Sequence, residues 1–125
     1  MLPRPTDSEL EILTVLWSRG PATVREIHEV IAKRKPAQYT TVLKTLQIMA
    51  DKGLVRRDEK QRAHIYEAAL PRESTQKQLA GDLLQRAFNG SAARMMQGAL
   101  SARKASKTEL SELRKVLDEY EKGAR

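Results

Sequence analysis

Between Ala22 and Tyr66, two short amphipathic helical patterns, a Gly stop and a basic two-strand pattern follow one another with almost no spacer. That order leaves few folds open. The first pattern opens at Thr23-Val24-Arg25-Glu26, the spacing of a capping box, in which a Thr hydroxyl and a Glu carboxylate satisfy free amides at a helix start. Val24, Ile27, Val30 and Ile31 give it an apolar stripe, and Lys33-Arg34-Lys35-Pro36 ends it in a basic turn. The second pattern begins near Gln38 and stops before Gly53, with Val42, Leu46 and Met49 on one face and Thr41, Lys44 and Thr45 on the other. Leu54-Val55 and His64-Ile65-Tyr66 are then short β-prone runs, separated by the charged segment Arg56 to Ala63.

Helix, turn, helix and two-stranded wing in this order predict a winged helix-turn-helix. Its second helix has the division that DNA reading needs: one face locks into the core while the other offers short hydrogen-bonding groups and a cation to base edges and phosphates. Taken alone, a Thr/Lys face is an ordinary solvated surface, and the surrounding elements favour the DNA reading. Arg57, Lys60 and Arg62 on the wing fall near the phosphate backbone, where cations supply affinity and orientation but little sequence information. Asp58 and Glu59 sit among them, as in a solvated hairpin loop. Thr23, at the start of the preceding helix, joins the DNA-facing set.

On either side the pattern stays helical. Thr6-Asp7-Ser8-Glu9 is another capping box, Leu10, Leu13, Leu16 and Trp17 follow at helical spacing, and Arg19-Gly20-Pro21 stops the helix. Beyond Pro71, Leu79, Leu83, Leu84, Ala87 and Phe88 form one apolar face up to Asn89-Gly90. Ser91 caps a short helix with Met95, Met96, Ala99 and Leu100, and Ser106-Lys107-Thr108-Glu109 opens a last one. In it Leu110, Leu113, Leu117 and Tyr120 recur as a short heptad-like seam. Three such helices cannot bury their apolar faces alone, and a symmetric dimer solves that while giving two heads for two half-sites. The expectation is therefore a mainly α chain with a small β wing, residues 1–70 forming the DNA-binding head and 71–125 a helical dimerisation region. Leu83, Phe88, Met95, Met96, Leu110, Leu113, Leu117 and Tyr120 are its dimerisation residues.

Net charge of +7 and a pI near 9.9 favour a polyanionic partner, with the excess spread over both halves. With aromatics at 4%, the core must rest on aliphatic side chains and Met, which suits helices. Cysteine is absent, which excludes disulfides and thiolate metal sites and is compatible with a reducing cytoplasm. No signal peptide or membrane span is read from the sequence. His28-Glu29 begins like HExxH, but position 32 is Ala, so the second imidazole of a zinc site is missing; His64 lies far along the chain. No phosphate-cradling Gly loop or Gly-x-Ser-x-Gly occurs. The chain is expected to be no enzyme and to use no cofactor or metal.

The chain resembles the penicillinase repressor family, also called BlaI/MecI/CopY, of bacterial winged-helix regulators. The residues that carry the likeness are Thr6-x-x-Glu9 leading to Leu13-x-x-Leu16-Trp17, Ala22 to Ile27, Thr41-Val42 through Leu46 to Lys52-Gly53-Leu54-Val55, Tyr66, and Phe88-Asn89-Gly90-Ser91. The resemblance implies a homodimeric repressor on an inverted-repeat operator of the TACA/TGTA type, with Gln38, Tyr39, Thr40, Thr41, Lys44 and Thr45 at or near DNA. Thr40 and Lys44 differ from residues often found in the family. It also implies a membrane sensor protease as partner, acting through cleavage of an Asn-Phe bond, where this chain has Gly98-Ala99. The copper-responsive branch holds metal through C-terminal cysteines, and this chain has none. The competing reading is a winged-helix protein-interaction module that uses the same Thr/Lys face without an operator.

Overall fold

A computed structural model describes residues 3–123. In chain order it contains α1 (Asp7–Arg19), β1 (Ala22–Thr23), α2 (Val24–Ala32), α3 (Tyr39–Lys52), β2 (Val55–Asp58), β3 (Ile65–Ala68), α4 (Arg72–Phe88), α5 (Ala92–Ala102) and α6 (Lys107–Gly123). The chain divides into two compact units, Met1–Gly81 and Asp82–Arg125.

In the first unit both expected capping boxes are formed. The Thr6 hydroxyl accepts from the Glu9 amide while the Glu9 carboxylate accepts from the Thr6 amide, and Thr23 and Glu26 repeat the pair at α2. The Thr23 backbone amide, then its hydroxyl, hold the Glu26 carboxyl below the usual carboxylate range, with the Arg19 guanidinium of α1 adding to them. The core is the sum of the apolar stripes: Ile12, Leu13 and Leu16 from α1, Val24, Ile27 and Ile31 from α2, and Val42, Leu46 and Met49 from α3. Leu54, Val55 and Tyr66 close it from the sheet side. Burying a side chain such as Leu46 stabilises by roughly 1.5–3 kcal/mol. Gly53 ends α3 in the left-handed conformation at φ 82°, and its amide and that of Leu54 cap the last carbonyls of the helix. Only glycine takes that φ without a steric penalty, which is why the turn into β2 is sharp.

The sheet is larger than the two-stranded wing that the sequence predicts. It has three antiparallel strands in the order β1-β3-β2, with Ala22 opposite Tyr66 and Thr23 opposite Ile65 on one side of β3. On the other side Val55 to Asp58 pair with Ala68 back to Ile65, so Arg56-Arg57-Asp58 belong to a strand rather than to the loop. Trp17 donates its indole hydrogen to the Leu70 carbonyl at 3.2 Å, tying α1 to the segment before α4. Thr75, in the first turns of α4, is buried.

The second unit is built differently. Ser91 caps α5 through the Arg94 amide and Ser106 caps α6 through the Glu109 amide, as the sequence predicts. Yet none of the described residues of α5 or α6 is fully buried. Helices of 11 and 17 residues whose apolar side chains are at most half-buried have only part of the tertiary packing that normally stabilises short helices in water.

Candidate nucleic-acid interface

Gln38 stands just before α3 in an extended conformation, without a side-chain cap, so the amides of the first turn are open and carry the positive end of the helix dipole. Tyr39, Thr40, Thr41 and Lys44 are exposed along that turn and the next, and Lys44 makes no ion pair among the described residues. Thr45 is half-buried and donates its hydroxyl to the Thr41 carbonyl at 2.8 Å. Opposite them, Val42, Leu46 and Met49 are at most 5% exposed. These three buried side chains seat α3 in the core and leave the opposite face outward.

One residue of this face escapes a polar reading of the sequence. Ile48 is 44% exposed and lies one turn beyond Lys44 and Thr45 on the same side. The spacing from Thr41 through Lys44 and Thr45 would have found it, although an Ile reads by default as core. Gln38, Thr41 and Thr45 also line an open groove of about 630 Å³ with Ser8, Glu11 and Lys35. Glu11 of α1 holds the Lys35 ammonium there at 2.9 Å.

The hairpin cations are unequal. Arg56 pairs with Glu67 across the strands at 3.2 Å, and Arg57 pairs with Glu59 at 2.6 Å. A hydrogen bond with the Tyr66 side chain, followed by the Glu59 charge, raises the Arg57 pKa, so this side chain is firmly cationic but already engaged. Asp58 accepts from the Lys60 amide at 2.9 Å and shapes the hairpin tip. Lys60 and Arg62 are exposed and make no ion pair among the described residues. Thr23 lies off the α3 face, on β1, with its hydroxyl committed to the α2 cap.

The expected dimerisation residues all fall in the second unit. Leu83, Met96, Leu117 and Tyr120 are exposed at 49%, 41%, 62% and 75%, while Phe88, Met95, Leu110 and Leu113 are half-buried. Leu100 and Val116, outside that set, are exposed too. Phe88 is partly used within its own chain, since a Cβ at Gly98 would stand 3.4 Å from its ring. Among the described residues no group of three or more His, Asp or Glu is placed to hold a metal, and no helix is long and apolar enough to cross a membrane.

Comparison with known proteins identifies the same fold. The chain is similar to the solution structure of the DNA binding domain of the repressor BlaI, with a TM-score of 0.52 at 21% identity over 58% of this chain and 88% of that one. A second likeness, TM-score 0.51 at 20% identity over 58% and 89%, is to the solution structure of the Bacillus licheniformis BlaI monomeric form in complex with the blaP half-operator. Both establish a winged-helix fold. Over nearly the full length, the chain is 35% identical to the transcriptional regulator BlaI of Mycobacterium tuberculosis (98% of this chain, 88% of that protein) and 23% identical to the penicillinase repressor of Bacillus licheniformis (95% and 93%). These relatives carry the names of regulators rather than of enzymes. With residues 5–119 matching the penicillinase repressor family model as well, the chain belongs to the penicillinase repressor family.

Proposed function

We propose that this chain is a DNA-binding transcriptional repressor that works in the cytoplasm as a homodimer on an inverted-repeat operator, of the TACA/TGTA type. The observation that carries the reading is the two-sided α3: an exposed face of Gln38, Tyr39, Thr40, Thr41 and Lys44 backed by three buried apolar residues in a winged-helix unit. Gln, Thr and Lys are groups that read base edges, and an aliphatic side chain such as Ile48 suits a thymine methyl. The hairpin, with Arg57, Lys60 and Arg62, supplies phosphate contacts, and Thr23 caps the start of α2. The exposed apolar side chains of the second unit supply the twofold contact.

The test is fluorescence anisotropy on the duplex upstream of the protein's own gene, with a scrambled duplex of equal length, across a salt series. Tight binding that prefers the natural duplex and falls steeply with salt is expected. Equal, weak binding to both overturns the reading and leaves the same face for docking a protein. In the same assay Lys44→Ala is expected to weaken operator binding by about 1–3 kcal/mol. Glu59→Gln acts in the opposite direction: it releases Arg57 from its pairing, so the salt slope should steepen by about one on natural and scrambled duplex alike. An unchanged slope would show that Arg57 does not reach a phosphate.

A sensor protease, the partner that the resemblance implies, meets an obstacle here. The Gly98-Ala99 bond lies inside α5, so a protease acting at that position must first open the helix.

A further inference from the structure

The helices α1 and α2 each begin with a Thr whose hydroxyl closes the first turn, whereas α3 begins at Gln38 with no side-chain cap. The turn ahead of it is exposed and highly charged from Lys33 to Pro36. Backbone bonds from the Arg34 and Lys35 amides to the Ile31 carbonyl fix its first half. Its second half is fixed from outside. His28 of α2 places Nε2 2.8 Å from the Ala37 carbonyl, and the same ring meets Tyr39 edge to face, with centroids 5.9 Å apart and planes at 75°. A carbonyl can only accept, so Nε2 carries the hydrogen and donates it. One side chain thus ties the last residues of the turn and the first residue of α3 back to the preceding helix.

We propose that His28 is a positioning residue for DNA reading: its imidazole, through the Ala37 carbonyl and the Tyr39 ring, sets where α3 begins and how Gln38, Tyr39 and Thr40 are presented. The inference rests on the repressor reading above and deepens it. It requires no contact between His28 and DNA. Specificity depends on such support, because base contacts fail when their side chains are displaced by fractions of an ångström to an ångström.

The experiment compares the full chain with His28→Ala and His28→Gln. Gln can bring an amide N–H to the position of Nε2, which restores the hydrogen bond without the ring. For His28→Ala, the ratio of operator to scrambled-duplex affinity should fall about tenfold, as expected for loss of one ordering hydrogen bond and its ring contact, with scrambled-duplex affinity and salt slope unchanged. Exchange of the Val42 amide, which donates to the Gln38 carbonyl in the first turn of α3, should accelerate in the absence of DNA. His28→Gln should recover most of both. Parallel loss of both affinities together with thermal stability, without recovery in His28→Gln, would mean a packing role only and overturns the proposal. A selective wild type with an equally selective His28→Ala overturns it as well, leaving the repressor reading intact. A wild type that does not discriminate between the duplexes overturns both.

Discussion

Replacing Leu113 and Leu117 together by Asp is expected to leave a monomer that still binds a single half-site but loses about 10²–10⁴ in affinity for the complete inverted repeat. The size of the loss follows from linkage. Two heads held on one particle make the second binding event intramolecular, and that advantage disappears when the particle splits. Leu117 is 62% exposed and Leu113 half-buried within one chain, so the substitutions should cost the single subunit little. In a twofold seam, by contrast, each Asp is buried opposite an apolar surface and is expensive to desolvate. Sedimentation and anisotropy on half and full operator give the two readouts. An unchanged mass would remove these two residues from the interface.

The second large effect concerns stability. Glu9 is 3% exposed, and its carboxylate accepts from the Lys52 ammonium at 2.8 and 3.0 Å and from the Thr6 amide at 2.9 Å. Burial pushes this carboxyl up, but the Lys52 contact and the Thr6 groups together outweigh it and leave Glu9 below the usual carboxylate range. Lys52→Met should destabilise the head by roughly 2–4 kcal/mol, since it strands a buried carboxylate, with some relief because the Lys52 side chain is itself 36% exposed. Glu9→Leu in the Lys52→Met background should recover much of that loss, because an apolar pair leaves no charge to desolvate. In the wild type a depressed folded-state pKa means that the stabilisation is complete above the unfolded carboxyl value of about 4.3 and is lost as pH falls through the lower folded value. Urea midpoints measured from about pH 7 to about pH 3 should therefore show an acid decline that Lys52→Met reduces or reverses. Parallel pH profiles for the two proteins would show that the pair does not set the titration of Glu9.

Features governed by residues a few positions apart were legible in the sequence. The Thr6/Glu9 and Thr23/Glu26 boxes, the Gly20 and Gly53 stops and the Val42, Leu46, Met49 stripe all follow from spacings within one or two turns. What depended on distant partners was not. Two residues, Ala22 and Thr23, have no periodicity, and they form a strand only because Tyr66 and Ile65 lie opposite them. Arg56 to Asp58 read as loop because they are charged, yet an edge strand with outward side chains accepts such residues readily. The partner of Glu9 is 43 positions away, so its carboxylate reads only as a cap. On the exposed face of α3 the polar residues were visible and Ile48 was not, because hydrophobicity alone assigns it to the core. His28 had no metal-ligand spacing to recommend it, and its hydrogen bond to Ala37 depends on the path of the turn.

Thr23 pairs with β3, caps α2 and fastens Glu26, which in turn holds Arg19 of α1. The side chains of Gln38, Thr40 and Lys44 carry no such connections, being exposed at the start of a helix whose anchors are other residues. Substitutions at these three positions should be close to neutral for folding. On the proposed assignment of these residues to DNA reading, a repressor built this way drifts to a new operator by single changes, each arriving without a debt of stability to be repaired elsewhere, so that scaffold and recognised sequence evolve on separate clocks.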